Sequence, residues 1–164
     1  MKRFLILIIL LVPGHIILAQ GFNHAIGIRG GLSSGFEYRI YTNDTNSYKF
    51  LLSTGDDRLQ LHALKEFHQW DMFNFTDRLV FVYGAGIHAG FESWDEVHHK
   101  NNTSWYDTHS ALIAGLDGLA GLEYIFYEAP VSIGFEVKPY FNFLGRDFFD
   151  VELFDFAFTV KYLF

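Results

Sequence analysis

The chain has 164 residues, with 12 Lys+Arg against 19 Asp+Glu, a formal charge of −7, and no cysteine. That charge argues against nucleic acid and anionic membrane surfaces as electrostatic partners, and the lack of cysteine excludes disulfides and a lipidated-cysteine anchor. The composition is 50% hydrophobic and 19% aromatic, yet after residue 19 the apolar residues alternate instead of forming a run long enough for a helical span.

Residues 1–19 read as a cleavable signal peptide. Lys2 and Arg3 form its positive end, Phe4 to Val12 its apolar stretch, and Pro13-Gly14 its break, with cleavage after Ala19. Ile17 departs from the small residue expected three positions before the cut. The apolar stretch is short for an uncleaved bilayer anchor. Loss of Lys2 and Arg3 leaves 10 of the 12 cationic residues against 19 acids, a charge of −9 for residues 20–164. This remainder is long enough for one domain and not two.

Period-two alternation then defines strand after strand. Ala25 to Leu32 sets Ile26, Ile28 and Leu32 opposite Arg29, before a turn at Ser33-Ser34-Gly35. Phe36 to Tyr41 sets Phe36, Tyr38 and Ile40 opposite Glu37 and Arg39, and Asn43 to Asn46 turn the chain. Tyr48 to Thr54 sets Tyr48, Phe50 and Leu52 opposite Lys49, and closes on Gly55-Asp56-Asp57. Arg58 to Gln69 sets Leu59, Leu61, Ala63 and Phe67 opposite Arg58, Gln60, His62, Glu66 and His68. Lys65 falls on the apolar face, where its long chain suits a membrane interface.

A polar connection spans Trp70 to Asp77. Leu79 to Glu92 follows, with Phe81, Tyr83, Ile87 and Phe91 on one face and His88 and Glu92 on the other. Residues 93–109 are the longest polar stretch, lack alternation, and read as a long outer loop. Ala111 to Phe126 sets Leu112, Leu116, Leu122 and Tyr124 opposite Asp117 and Glu123. Val131 to Phe143 sets Ile133, Phe135, Phe141 and Phe143 opposite Ser132, Glu136, Lys138 and Asn142. Pro139 has no N–H for a ladder and marks a strand end or distortion. The last strand, Val151 to Phe164, is aromatic on its even face through Phe154, Phe156, Phe158, Tyr162 and Phe164, and carries Asp155, Thr159 and Lys161 on its odd face.

Eight strands with one apolar and one charged face predict an all-β fold: an eight-stranded antiparallel up-and-down transmembrane β-barrel with its charges inside. With both termini on one side, the outer connections are 33–35, 55–57, 93–109 and 145–150, and the inner turns are 42–47, 70–77 and 127–130. An eight-stranded lumen is narrow enough for side chains to fill. Arg29, Arg39, Lys49, Arg58, Lys138 and Lys161 face Glu37, Glu66, Glu92, Asp117, Glu123, Glu136 and Asp155 there. They predict a neutralising polar network that includes His88, since isolated charges in such a space are costly. A soluble ligand-carrying barrel needs the reverse arrangement. Gly84, Gly86, Gly90, Gly115 and Gly121 leave room on the inward faces.

The ending on Phe158, Val160, Tyr162 and Phe164 resembles the C-terminal assembly signal of bacterial outer-membrane barrels. The whole pattern resembles small eight-stranded barrels of the OmpX/OmpA transmembrane-domain type. A closer likeness is to small outer-membrane barrel proteins of Bacteroidota-type bacteria. It is carried by Ala25-Ile26-Gly27-Ile28-Arg29, Tyr83-Gly84-Ala85-Gly86-Ile87-His88, Gly115-Leu116-Asp117-Gly118, Gly121-Leu122-Glu123-Tyr124 and Val137-Lys138-Pro139. The resemblance implies an outer-membrane location, surrounding lipid, and barrel-assembly machinery engaged through the last strand. It implies no catalytic activity and no cofactor.

Some outer-membrane barrels are rim enzymes, and a serine hydrolase there needs a Ser, a His and an orienting acid converging at the outer rim. His109-Ser110 lies near Asp107, and Ser33 and Ser34 lie on another outer connection. Neighbours in a strand point to opposite faces, however, which separates His109 from Ser110. Asp56-Asp57 reads as a turn. His98, His99 and His109 with Asp95, Glu96 and Asp107 match no metal-ligand spacing, so no metal is assigned. Trp94 and Trp105 are contact candidates for the membrane surface or an extracellular partner. The reading is a structural or interaction barrel with a plugged lumen that displays 93–109. A narrow pore is the first alternative and a rim lipid-modifying enzyme the second.

Overall fold

The computed structural model describes residues 22–100, 103–146 and 149–164, and within 98–105 backbone alone. The signal peptide of 1–19 lies outside the described residues.

Ten β segments form one sheet: β1 (His24–Gly31), β2 (Ser34–Asn43), β3 (Asn46–Gly55), β4 (Arg58–Gln69), β5 (Leu79–Lys100), β6 (Thr103–Ile125), β7 (Val131–Val137), β8 (Tyr140–Leu144), β9 (Asp150–Glu152) and β10 (Phe156–Leu163). β1 to β6 pair in chain order, β6 continues onto both β7 and β8, and β10 pairs with β7 and β1. β7 with β8, and β9 with β10, are each one stave with an interruption. The result is a closed, antiparallel, eight-stave barrel, sealed where Ala25 pairs with Leu163 and Gly31 with Ala157. Closure leaves the long staves without the unpaired edges that an open sheet exposes.

Four local features correct the strand boundaries read from the sequence. Residues 93–100 and 103–109 are paired strand, not loop. β5 and β6 run on beyond the other staves as a paired hairpin, with Trp94 opposite His109 and Val97 opposite Tyr106. Both faces of this ribbon meet water, so nothing selects an alternation of polarity, although the backbone is extended. The seventh stave breaks at Lys138-Pro139, where proline cannot donate; the Pro139 carbonyl instead accepts from Gly118 N at 2.7 Å. The eighth stave breaks at Leu153–Asp155, and the Asp155 carbonyl accepts from Lys138 N at 2.9 Å, which joins the two breaks. Within that break the parity slips, and Leu153 is exposed instead of inward. The first three turns are also tighter than read: the β3–β4 turn is only Asp56-Asp57, both left-handed at φ 48° and 57°.

The faces separate sharply. Phe36 and Phe158 are 69% and 70% exposed on the outside, whereas Arg39 and Lys49 are 1% and 0% exposed inside. At the inner end the lumen is apolar: Ala25, Leu64, Val80, Val82, Leu119, Ile125 and Leu163 form a cluster capped by Phe22, Tyr41 and Trp70. Trp70, in the connection after β4, donates its indole N–H to the Asp44 carbonyl at 2.6 Å, which ties that connection across the inner mouth.

Candidate functional site

Above the apolar cluster the inward residues of seven staves meet in a chain of alternating charges. Arg39 reaches Glu66 at 2.6 Å and Glu123 at 2.7 Å. Lys161 lies 3.3 Å from Glu123 and 3.2 Å from Glu37. Lys49 lies 2.6 Å from Glu37 and 2.7 Å from Glu136. Arg29 continues from Glu136 at 2.7 Å to Asp155 at 3.2 Å, and Lys138 ends the chain 3.2 Å from Asp155. Glu37, Glu123, Glu136 and Asp155 each touch two cations, the arrangement that offsets desolvation best in a low-dielectric interior, and Glu66 pairs closely with Arg39 alone. Hydroxyls add further bonds: Ser132 donates to Glu123 at 2.5 Å, Ser47 to Glu66 at 2.9 Å, and Ser33 to Asp155 at 2.8 Å. A space of about 10 Å³ among Arg39, Glu123, Glu136 and Lys161 is at the lower limit for one water.

The outer third of the lumen is built differently. The β4–β5 register sets His62 directly opposite His88, and the β5–β6 register places Asp117 beside them. Asp117 Oδ2 lies 2.9 Å from His62 Nδ1 and its Oδ1 lies 3.0 Å from His88 Nδ1. The far nitrogens are engaged too: His62 Nε2 lies 2.9 Å from Ser53 Oγ, and His88 Nε2 lies 2.7 Å from Asn142 Oδ1. All three residues of this cluster are buried. Gly115 makes room for it, since a Cβ there would lie 2.7 Å from His88 Cε1.

Over the cluster opens an outer vestibule of about 240 Å³, lined by Asp57, Arg58, Glu92, Trp94, Asn142 and Asp150 among others. Arg58 is half-buried at this rim, 3.4 Å from Glu92 and 3.2 Å from Asp150, and donates to Tyr140 OH at 2.8 Å. Trp94 turns toward the vestibule, stacked on His109 at 5.8 Å and under the Arg146 guanidinium at 5.3 Å. The side chain of Trp105 lies outside the described residues, as do those of His98 and His99. A second cavity, of about 450 Å³, opens at the inner mouth between Phe22, Tyr41, Asn43 and Trp70.

The hydrolytic candidates do not converge. His109 Nε2 lies 3.5 Å from Glu96, while Ser110 is the cross-strand neighbour of Ser93. Phe158, Val160, Tyr162 and Phe164 all face outward. Members of the lumen that the sequence reading did not single out are Ser33, Tyr41, Ser47, Ser53, Tyr140 and Asp150. Ser47 and Ser53 share the parity of Lys49, Tyr41 that of Arg39 and Tyr140 that of Lys138, a usable signal in each case; Asp150 does not share the parity of Asp155.

No family model matches the chain, and no curated protein matches it. Among solved structures, the chain is similar to the crystal structure of the N-terminal β-barrel domain of Pseudomonas aeruginosa OprF, with 13% identity, coverage of 88% of this chain and 100% of that one, and a TM-score of 0.48.

Proposed function

We propose that the chain is an outer-membrane β-barrel of the small OmpX/OmpA type, of the kind found in Bacteroidota-type bacteria. In this reading residues 1–19 direct export through the periplasm, the last strand engages the barrel-assembly machinery, and lipid surrounds the mature wall. The observation that carries it is the inversion of the usual soluble arrangement: apolar side chains cover the outside while paired charges fill the inside. Aromatic residues near both stave ends support it, with Tyr48, Phe67, Tyr83 and Tyr162 exposed toward the inner ends and Phe36, Phe91, Phe143 and Phe154 toward the outer. Such residues form the interfacial girdles of membrane barrels.

The barrel's work is then structural or interactive, not catalytic. The ion network and the apolar cluster below it plug the lumen, and the 93–109 hairpin is displayed above the membrane for an extracellular partner, with Trp94 at its base. Outer-membrane fractionation and gel mobility with and without boiling test this reading. A heat-dependent shift in the outer-membrane fraction is the expected result, and a soluble periplasmic protein refutes it. Planar-bilayer recording separates plug from pore: steady single-channel steps overturn the closed lumen.

A further inference from the structure

We infer that His62, His88 and Asp117 form a binding site for one borderline divalent cation of the zinc class, entered from the outer vestibule. The inference goes beyond the proposed function and needs only the barrel interior, not its membrane location.

The first argument is hydrogen-bond logic. Asn142 faces two partners, with Nδ2 donating to Asp150 Oδ2 at 3.2 Å and Oδ1 lying 2.7 Å from His88 Nε2. A carboxylate only accepts, so Asp150 sets the amide orientation, and the Asn142 oxygen in turn requires a proton on His88 Nε2. A neutral imidazole protonated there bears a lone pair on Nδ1. That lone pair is aimed at Asp117 Oδ1 from 3.0 Å. Two acceptors at this separation need a proton or a metal ion between them.

The second argument is charge. Among the described residues, the five buried cations Arg29, Arg39, Lys49, Lys138 and Lys161 stand against the seven buried carboxylates of the lumen. The deficit is two positive charges, which is one divalent ion. Lys138 does not fill the place, lying 4.0 Å from Asp117 and closer, at 3.2 Å, to Asp155.

The donor set completes the case. Two imidazole nitrogens and a carboxylate are zinc-type ligands, with a fourth position left for water. The two Nδ1 atoms contact different Asp117 oxygens at 2.9 and 3.0 Å, and one ligand atom from each residue lies within 4.8 Å of the others, so side-chain adjustment brings them to the spacing of about 3.3 Å that tetrahedral ligands at about 2.0–2.1 Å from zinc require. Ser53 and Asn142 hold the outer nitrogens, as ligating histidines require. Asn142 and Asp150 also line the vestibule, so a cation in that acidic mouth is one side chain from the site.

The test titrates Zn²⁺ alone into the refolded full-length mature barrel in detergent, followed by calorimetry and metal analysis. A companion variant, H98A/H99A/H109A, removes the hairpin histidines. One equivalent bound in both proteins is expected, with affinity lowered at least about 100-fold in H62Q/H88Q and about 10–100-fold in N142A. Heat-shifted gel mobility verifies that each variant is folded. Absence of stoichiometric binding overturns the inference, and so does binding that survives H62Q/H88Q but disappears with the hairpin histidines. Should H62Q/H88Q fail to fold, Co²⁺ in the hairpin variant decides. Two paramagnetically shifted imidazole N–H signals uphold the site; two unshifted imidazolium rings show that protons occupy it and overturn the inference.

Discussion

Replacing Arg39 by methionine asks whether the lumen is dry. The guanidinium is buried and makes two close ion pairs, 2.6 Å to Glu66 and 2.7 Å to Glu123. Methionine fills a similar volume without charge, so R39M leaves two buried carboxylates short of a partner. Each keeps something: Lys161 stays 3.3 Å from Glu123, while Glu66 retains the Ser47 hydroxyl at 2.9 Å and a distant Lys49 at 3.9 Å. Breaking a buried pair from one side costs about 3–5 kcal/mol. The two losses share one residue and do not add, so the same range is expected for the variant as a whole. Urea unfolding of the barrel in lipid vesicles, followed by tryptophan fluorescence, reads the change. The triple variant R39M/E66Q/E123Q removes the orphaned charges and should recover most of the loss. A loss of less than about 1 kcal/mol in R39M, the magnitude of a solvated pair, would show that water screens the network and would refute the packed lumen.

Three further outcomes follow from the same geometry. I28R places a charge at the middle of the outer face, where Ile28 is 56% exposed; it should cost about 2–4 kcal/mol in a bilayer, while Y106R on the projecting hairpin should change little, and equal effects would contradict a lipid-facing wall. Replacing residues 95–108 by Asn-Gly joins the cross-strand pair Trp94 and His109 by a two-residue turn that suits a hairpin. That protein should keep its heat-shifted mobility and an unfolding free energy within about 0.5 kcal/mol of the parent, and failure to fold would mean the hairpin supports the barrel. D56N/D57G relieves the two left-handed residues of the β3–β4 turn and should stabilise by about 0.5 kcal/mol, a loss in the same unfolding assay being the contrary result.

Alternation made most of the wall legible, because each residue of the wall meets one of two very different surroundings, the lumen or the outside, and a period of two records the difference. It fell silent where the surroundings become equal. Above the rim the hairpin is wet on both faces, and Asp95 bonds Thr108 across the ladder at 2.6 Å without any polarity pattern to announce the pairing. Pro139 marked its own break by lacking a donor. The matching break at Leu153–Asp155 had no such sign, since Asp155 fits the inward parity even though the chain leaves the ladder just before it. The His62–His88–Asp117 cluster is the clearest case of information carried by register: each residue was visible as inward-facing, but their meeting depends on how β4, β5 and β6 slide against one another. Period two constrains such a slide only to even steps.

The seam between β1 and β10 has a consequence for how the molecule comes into being. Its ladder joins residues from opposite ends of the described chain, with Phe164 N donating to His24 O at 2.9 Å and His24 N to Phe164 O at 2.8 Å. Every other stave contact is between sequence neighbours, so hairpins form early and locally, whereas this one waits for the whole polypeptide. Without that seam the sheet has two raw margins and an uncovered charged interior. Closing it is the step that converts an adhesive ribbon into a finished cylinder.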